Sequence, residues 1–176
     1  VVTQADASTD KYTLHPRVER YALGLAGDSK QTLSGILANL RRVWALRRVM
    51  KRQQPTVVLG MMTTSSILAI MAARGQNCRV IATEHTHPPA QKLSSMWLRL
   101  RRWAYPRATA VVALTSGTAS WLEINVPGSR LTVIPNAVDA HRFLAAPPPN
   151  HMLAQRLGLG GRPLLGFIGS FYAYEG

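Results

Sequence analysis

The stretch AVVALTSGTASWLEINVPGSRLTVI, residues 110–134, decides the fold. Two short apolar runs, AVVAL (Ala110–Leu114) and LTVI (Leu131–Ile134), flank a segment led by Ser116 that suits a helix to Ile124. Runs that are apolar at consecutive positions fit strands covered on both faces, and a helix between two of them predicts parallel pairing.

The same alternation repeats upstream. TVVLG (Thr56–Gly60) follows Pro55 and reads as a strand buried on both faces. A helix over about Ser65–Arg74, stopped by Gly75, leads to the strand RVIAT (Arg79–Thr83). A loop with Pro88 and Pro89 then opens an amphipathic helix over about Gln91–Ala104. Before all of these, Leu33, Ile36, Leu37, Leu40, Val43, Trp44 and Met50 form a stripe of helical period, with Arg41, Arg48 and Arg52 on the other side, which predicts a long helix over Gln31–Arg52. The fold class expected is α/β, a Rossmann-like doubly wound parallel sheet. After Ile134 the texture changes: PNAVDAHRFLAAPPPN (Pro135–Asn150) holds a PN turn and three consecutive prolines, which reads as a linker. A short helix over about His151–Leu157 and the strand PLLGFIG follow.

With 176 residues there is room for one domain and a piece of another. An apolar fraction of 47% against 16% charged excludes a disordered chain. Lys and Arg number 21 against 8 Asp plus Glu, and Glu84 is the only acid between Asp28 and Glu123. Such a surface seeks anions: lipid headgroups, a phosphorylated substrate or nucleic acid. No nucleic-acid motif or aromatic stacking platform accompanies the charge, which argues against the last. Cys78 is single, so no intrachain disulfide forms and a reducing cytoplasm is the expected location. The longest apolar candidate, SILAIMAA (Ser66–Ala73), is about half the ~20 residues a membrane span needs. The start at Val1 leads us to expect sequence upstream.

Ligands of open α/β sheets sit at the carboxyl ends of the strands. After Thr83 comes Glu84-His85-Thr86-His87, the densest group of titratable side chains. His85 can orient or protonate a reacting oxygen near neutral pH, and the Glu84 carboxylate can pair with an arginine. The alternative is a hydrogen-bonded loop without a catalytic part. Ser116, at a helix start, reads first as an N-cap and second as a ligand contact. Gly169 and Ser170 follow a strand, where backbone N–H groups can approach a phosphate. The basic helices 31–52 and 91–107 fit either an anionic membrane surface or a core-packed stripe with solvated arginines. No Cys/His spacing of the zinc type occurs, and neither a metal nor a cofactor is expected.

Several segments resemble glycosyltransferase family 4 of the GT-B fold. VIPNAVDAHRF (Val133–Phe143) is similar to that family's interdomain turn, RVIATEHTHPP to its strand and histidine loop, and YPRATAVVALTSGTASWL to the strand and Ser-led helix before the turn. The early part, DASTDKYTLHPRVERYALGL running into NLRRVWALRRVMKRQQPTVVLG, resembles bacterial members that build polysaccharides or lipid-linked oligosaccharides. In that family two Rossmann-like domains face one another, the first holding the acceptor and the second the nucleotide-sugar donor. The resemblance implies an acceptor-side domain over 1–134 without its first strand and glycine-rich loop, a linker over 135–150, and the start of a donor domain over 151–176. It implies retaining transfer of a sugar from a nucleotide-sugar to a glycan or lipid-linked acceptor, with the departing diphosphate stabilised by dipoles rather than a metal. A piece of this extent is expected to be inactive alone. His85 matches the histidine beside the donor sugar and acceptor, with Glu84, Thr86 and Ser116 around it. Asn136 belongs to the domain-junction turn. Gly169 and Ser170 fall in the donor-phosphate loop, where Ser170 and Glu175 replace the family's usual Arg and Lys. The enzyme is expected in the cytoplasm, peripheral at the inner face of the plasma membrane. A GT-B nucleotide-sugar epimerase and a non-catalytic basic binding module are the rival expectations.

Overall fold

A computed structural model describes residues 1–9, 13–26, 33–141 and 155–159. Residues 151–154 of the expected short helix, the strand PLLGFIG, Gly169, Ser170, Glu175 and most of the linker thus lie outside the described residues, while Gln155 and Arg156 are helical. Contacts divide the chain into two units, Val1–Asn136 and Ala137–Gly176.

In the first unit, β1 (Val2–Thr3) and β2 (Tyr21–Ala22) pair in parallel as a separate two-stranded sheet. Arg20 ties it together by donating from Nη2 to Thr3 Oγ1 at 2.9 Å. Then follow α1 (Leu33–Gln53), β3 (Val57–Gly60), α2 (Thr63–Ala73), β4 (Arg79–Glu84), α3 (Ser95–Ala104), β5 (Ala110–Ala113), α4 (Ser116–Asn125) and β6 (Leu131–Val133). The main sheet has the order β3-β4-β5-β6 and every pairing is parallel. This is the Rossmann-like α/β architecture expected from the alternation. In the second unit, Gly158 adopts φ +64° and its N–H donates to Gln155 O at 3.0 Å, closing a turn.

Sequential strand order has a consequence. Right-handed crossovers that all advance in one direction place α2, α3 and α4 on one face of the sheet. Val80, Ala82, Val111 and Ala113 point to that face and are buried with Ile67, Leu68, Ala104 and Leu122. The opposite face is less covered, and Val57 and Leu59 on β3 are 48% and 56% exposed. The expectation that β3 is buried on both faces is therefore corrected: among the described strands it stands at the edge, and its helix covers one side only.

The helix over 31–52 is found as α1, but its stripe divides. Val43 and Met50 turn inward, Met50 into the core, whereas Ile36, Leu37, Leu40 and Trp44 face outward beside Arg41, Arg48, Lys51 and Arg52. Two arginines explain the rotation. Arg42 is buried and donates from Nε to Leu25 O at 2.9 Å, and Arg47 donates from Nη1 to Ala72 O at 2.7 Å and Arg74 O at 2.5 Å. Arg47 thereby satisfies carbonyls at the carboxyl end of α2, where a cation also suits the helix dipole.

The helix expected over 91–104 begins at Ser95, because residues 88–90 form a 3-10 turn with prolines at its start. Trp97 is buried as expected of the apolar face, but so is Arg101, which corrects the reading of its arginines as uniformly solvated.

Candidate functional site

The carboxyl ends of β3, β4 and β5 gather a polar cluster. At the first, Gly60 abuts α2 so closely that a Cβ there would lie 2.6 Å from the backbone Cα of Ser66. Ser66 Oγ donates to Gly60 O at 2.8 Å and accepts from Thr83 N–H at 3.2 Å, fastening the ends of β3 and β4 to the helix. Between β3 and α2, Met62 is held at φ +68° and ψ 165°, a conformation that costs a non-glycine residue about 1–3 kcal/mol and that concentrates at functional sites.

Glu84 is the last residue of β4, one place beyond the strand expected, and only 1% of it is exposed. Its Oε1 accepts from Thr63 Oγ1 and its Oε2 from Tyr105 OH at 2.6 Å. Gln91 Nε2 donates in turn to Thr63 Oγ1 at 3.1 Å. Arg101 Nη1 stands 3.7 Å from Glu84 Oε2, too far for a hydrogen bond, and the two buried charges attract coulombically. The guanidinium also lies over the Trp121 ring, 4.9 Å from its centroid. Burial first, and the neighbouring carboxylate second, hold the Tyr105 phenol well above the ordinary tyrosine range, so it stays protonated and donates. Glu84, expected to pair with an arginine, faces Arg101, and both of its oxygens are engaged inside the fold.

His85 follows immediately and is partly exposed. Its Nε2 lies 3.0 Å from Thr83 Oγ1, a buried hydroxyl that also donates to Gly60 O at 3.0 Å. Thr86 is partly buried beside it. His87 Nδ1 lies 3.3 Å from Thr118 Oγ1, which joins the β4 loop to the start of α4. There the cap is Thr115, not Ser116: Thr115 has extended backbone and its Oγ1 accepts from Thr118 N–H at 3.2 Å, while Ser116 is the first helical residue and exposed. Thr115→Ala is expected to lower stability by about 1 kcal/mol and Ser116→Ala by much less, as read by urea unfolding. Asn136 lies exposed in the segment after β6.

The structure thus brings Glu84, His85, Thr86 and Ser116 to one end of the sheet. Thr63, Thr83, Tyr105 and Arg101, which hold the cluster, were not anticipated; a lone acid in a basic interval was the one sequence signal for them. Among the described residues no group of three His, Cys, Asp or Glu side chains is placed to hold a metal ion, and no helix is long and apolar enough to cross a membrane. A cavity of about 270 Å³ in the helix layer, lined by Leu98, Arg99, Arg102, Trp121 and Val126 among others, contains none of the residues from Glu84 to His87.

The chain is similar to known proteins. The family model for Glycosyltransferase Family 4 matches residues 7–142. A 2-deoxystreptamine glucosyltransferase of Streptomyces kanamyceticus is 28% identical over 164 residues, covering 88% of this chain and 42% of that protein. The chain thus spans less than half the length of that curated relative. Among solved structures, a UDP-N-acetylglucosamine 2-epimerase from Rickettsia bellii is similar with a TM-score of 0.49 and 18% identity, covering 64% of this chain and 29% of that one.

Proposed function

The chain belongs to glycosyltransferase family 4, and from that premise we propose that the full-length protein moves a sugar from a nucleotide-sugar donor to a glycan or lipid-linked acceptor with retention of anomeric configuration. The observation that carries this reading is His85, partly exposed at the carboxyl end of a parallel strand and tethered through Nε2 to a buried threonine. In transfer, the acceptor oxygen bonds to the anomeric carbon as the bond to the nucleoside diphosphate breaks, and the acceptor hydroxyl loses its proton. A fixed imidazole serves that chemistry by orienting a hydroxyl of the sugar or acceptor. Thr86 and Ser116 border the same end of the sheet and are proposed as hydroxyl contacts. Asn136, Gly169 and Ser170 keep the roles that the family resemblance implies, at the junction turn and toward the donor diphosphate.

Incubating the full-length protein with a panel of nucleotide-sugars and following product by mass and NMR tests the reading. A glycosylated acceptor with the donor's anomeric configuration supports it. An isomerised nucleotide-sugar formed without any acceptor overturns it in favour of an epimerase.

The same proposal places the enzyme at the cytoplasmic face of a membrane. Support comes from the outward face of α1, where Leu37 and Trp44 are 56% and 59% exposed beside Arg41, Arg48, Lys51 and Arg52. The Arg48 guanidinium lies 4.0 Å from the Trp44 ring centroid, joining cation to aromatic as at a lipid interface. Each basic residue near an anionic surface contributes about 1 kcal/mol, so Arg48→Gln with Lys51→Gln is expected to weaken binding to phosphatidylserine vesicles about thirtyfold. Sedimentation at equal affinity for parent and variant would sink the membrane role.

A further inference from the structure

Thr83 Oγ1 makes three contacts to nitrogen or oxygen, with Gly60 O at 3.0 Å, Met62 N at 3.2 Å and His85 Nε2 at 3.0 Å, besides a longer one to the weak acceptor Met61 Sδ at 3.9 Å. Their donor and acceptor roles are constrained. A carbonyl oxygen only accepts, a backbone N–H only donates, and a hydroxyl has one proton to give. If that proton pointed at His85, the Thr83 oxygen would face Gly60 O at 3.0 Å with lone pair against lone pair. A single arrangement makes all three contacts attractive. Thr83 donates to Gly60 O, and its oxygen accepts from Met62 N–H and from His85 Nε2–H.

The hydroxyl is also held in place. Thr83 is buried, its own N–H donates to Ser66 Oγ at 3.2 Å, and Ser66 fastens the same Gly60 carbonyl from the other side. A β-branched side chain on a strand has few rotamers to escape into.

We infer that Thr83 is a positioning residue that fixes His85 as the Nε2–H tautomer, so that Nδ1 presents the lone pair to a sugar or acceptor hydroxyl; the second clause rests on the role proposed for His85. The assignment of a tautomer by the partner of the opposite ring nitrogen is how imidazoles are generally set. Here the partner is a neutral hydroxyl whose own proton is committed elsewhere. The ring accordingly works as an acceptor at Nδ1 rather than as a donor there.

Long-range ¹⁵N–¹H correlation of the His85 ring in the full-length protein, recorded with the imidazole neutral, reads the tautomer directly. The expected spectrum has a protonated Nε2 and an unprotonated Nδ1. Thr83→Val presents a methyl group to Nε2, and the proton is expected to shift toward Nδ1; Thr83→Ser is expected to restore the parent spectrum. In sugar transfer Thr83→Val is expected to lower kcat about tenfold, with Thr83→Ser within about threefold of the parent. A parent ring protonated at Nδ1 overturns the inference without recourse to any variant, and so does a Thr83→Val ring identical to the parent's. Should the Nε2–H tautomer be found while His85→Ala transfers sugar at the parent rate, the role of His85 falls and the tautomer assignment stands.

Discussion

Full-length protein carrying His85→Ala is expected to transfer sugar about 100-fold more slowly than the parent, with the loss mainly in kcat. The ring is fixed from below by Thr83, so its other nitrogen has a defined direction and little orientational freedom remains to be lost when substrate binds. Alanine removes a side chain that is partly exposed and held by a buried hydroxyl at the end of its strand. His87 offers a control. It is joined to Thr118 and sits on the exposed side of the loop, and His87→Ala is expected to cost less than tenfold because its contact ties two loops and presents no fixed acceptor. Initial rates against donor concentration separate the effects. Equal losses at both positions would remove His85 from the reaction.

The largest stability effect is expected at Glu84. The carboxylate accepts from Thr63 and Tyr105 and offsets the charge of Arg101, all of them buried. Glu84→Ala leaves the Arg101 guanidinium buried without its counter-charge and the Tyr105 hydroxyl without its acceptor, and breaking a buried pair in this way costs about 3–5 kcal/mol. Glu84→Gln keeps an acceptor for one hydroxyl but loses the charge, so an intermediate loss is expected. Adding Arg101→Met to Glu84→Gln should recover part of it, since the orphaned cation is then gone. Urea unfolding of the four proteins checks the order. A Glu84→Ala midpoint equal to the parent's would mean that the network carries no weight.

The layout was legible because its signals are local. The runs read at 56–60, 79–83, 110–114 and 131–134 became strands over 57–60, 79–84, 110–113 and 131–133, and Gly75, with φ +72°, follows the end of α2 as a stop should. What escaped depends on partners distant in the chain. The outward turn of Leu40 and Trp44 follows from where Arg42 and Arg47 find carbonyls, at Leu25, Ala72 and Arg74. No periodicity in residues 31–52 contains that information. Likewise the choice of Thr115 over Ser116 as cap is set by which residue keeps extended backbone, φ −138° and ψ 154°, since both are good capping types. Glu84 was recognisable as unusual from the basic interval around it. Its burial was not, because Arg101 and Tyr105 reach it from α3 and the turn that follows, distant in the chain.

The arginines that bond within the fold change what the formal +13 means. Arg42, Arg47 and Arg101 hold a loop carbonyl, a helix end and a buried acid, so their guanidinium groups are engaged within the fold and do not serve as direct contacts for the charges of an approaching polyanion. A salt titration of association with any polyanion would therefore count fewer charges than the composition does. The steepness of that titration becomes a measure of how many cations the fold leaves facing water.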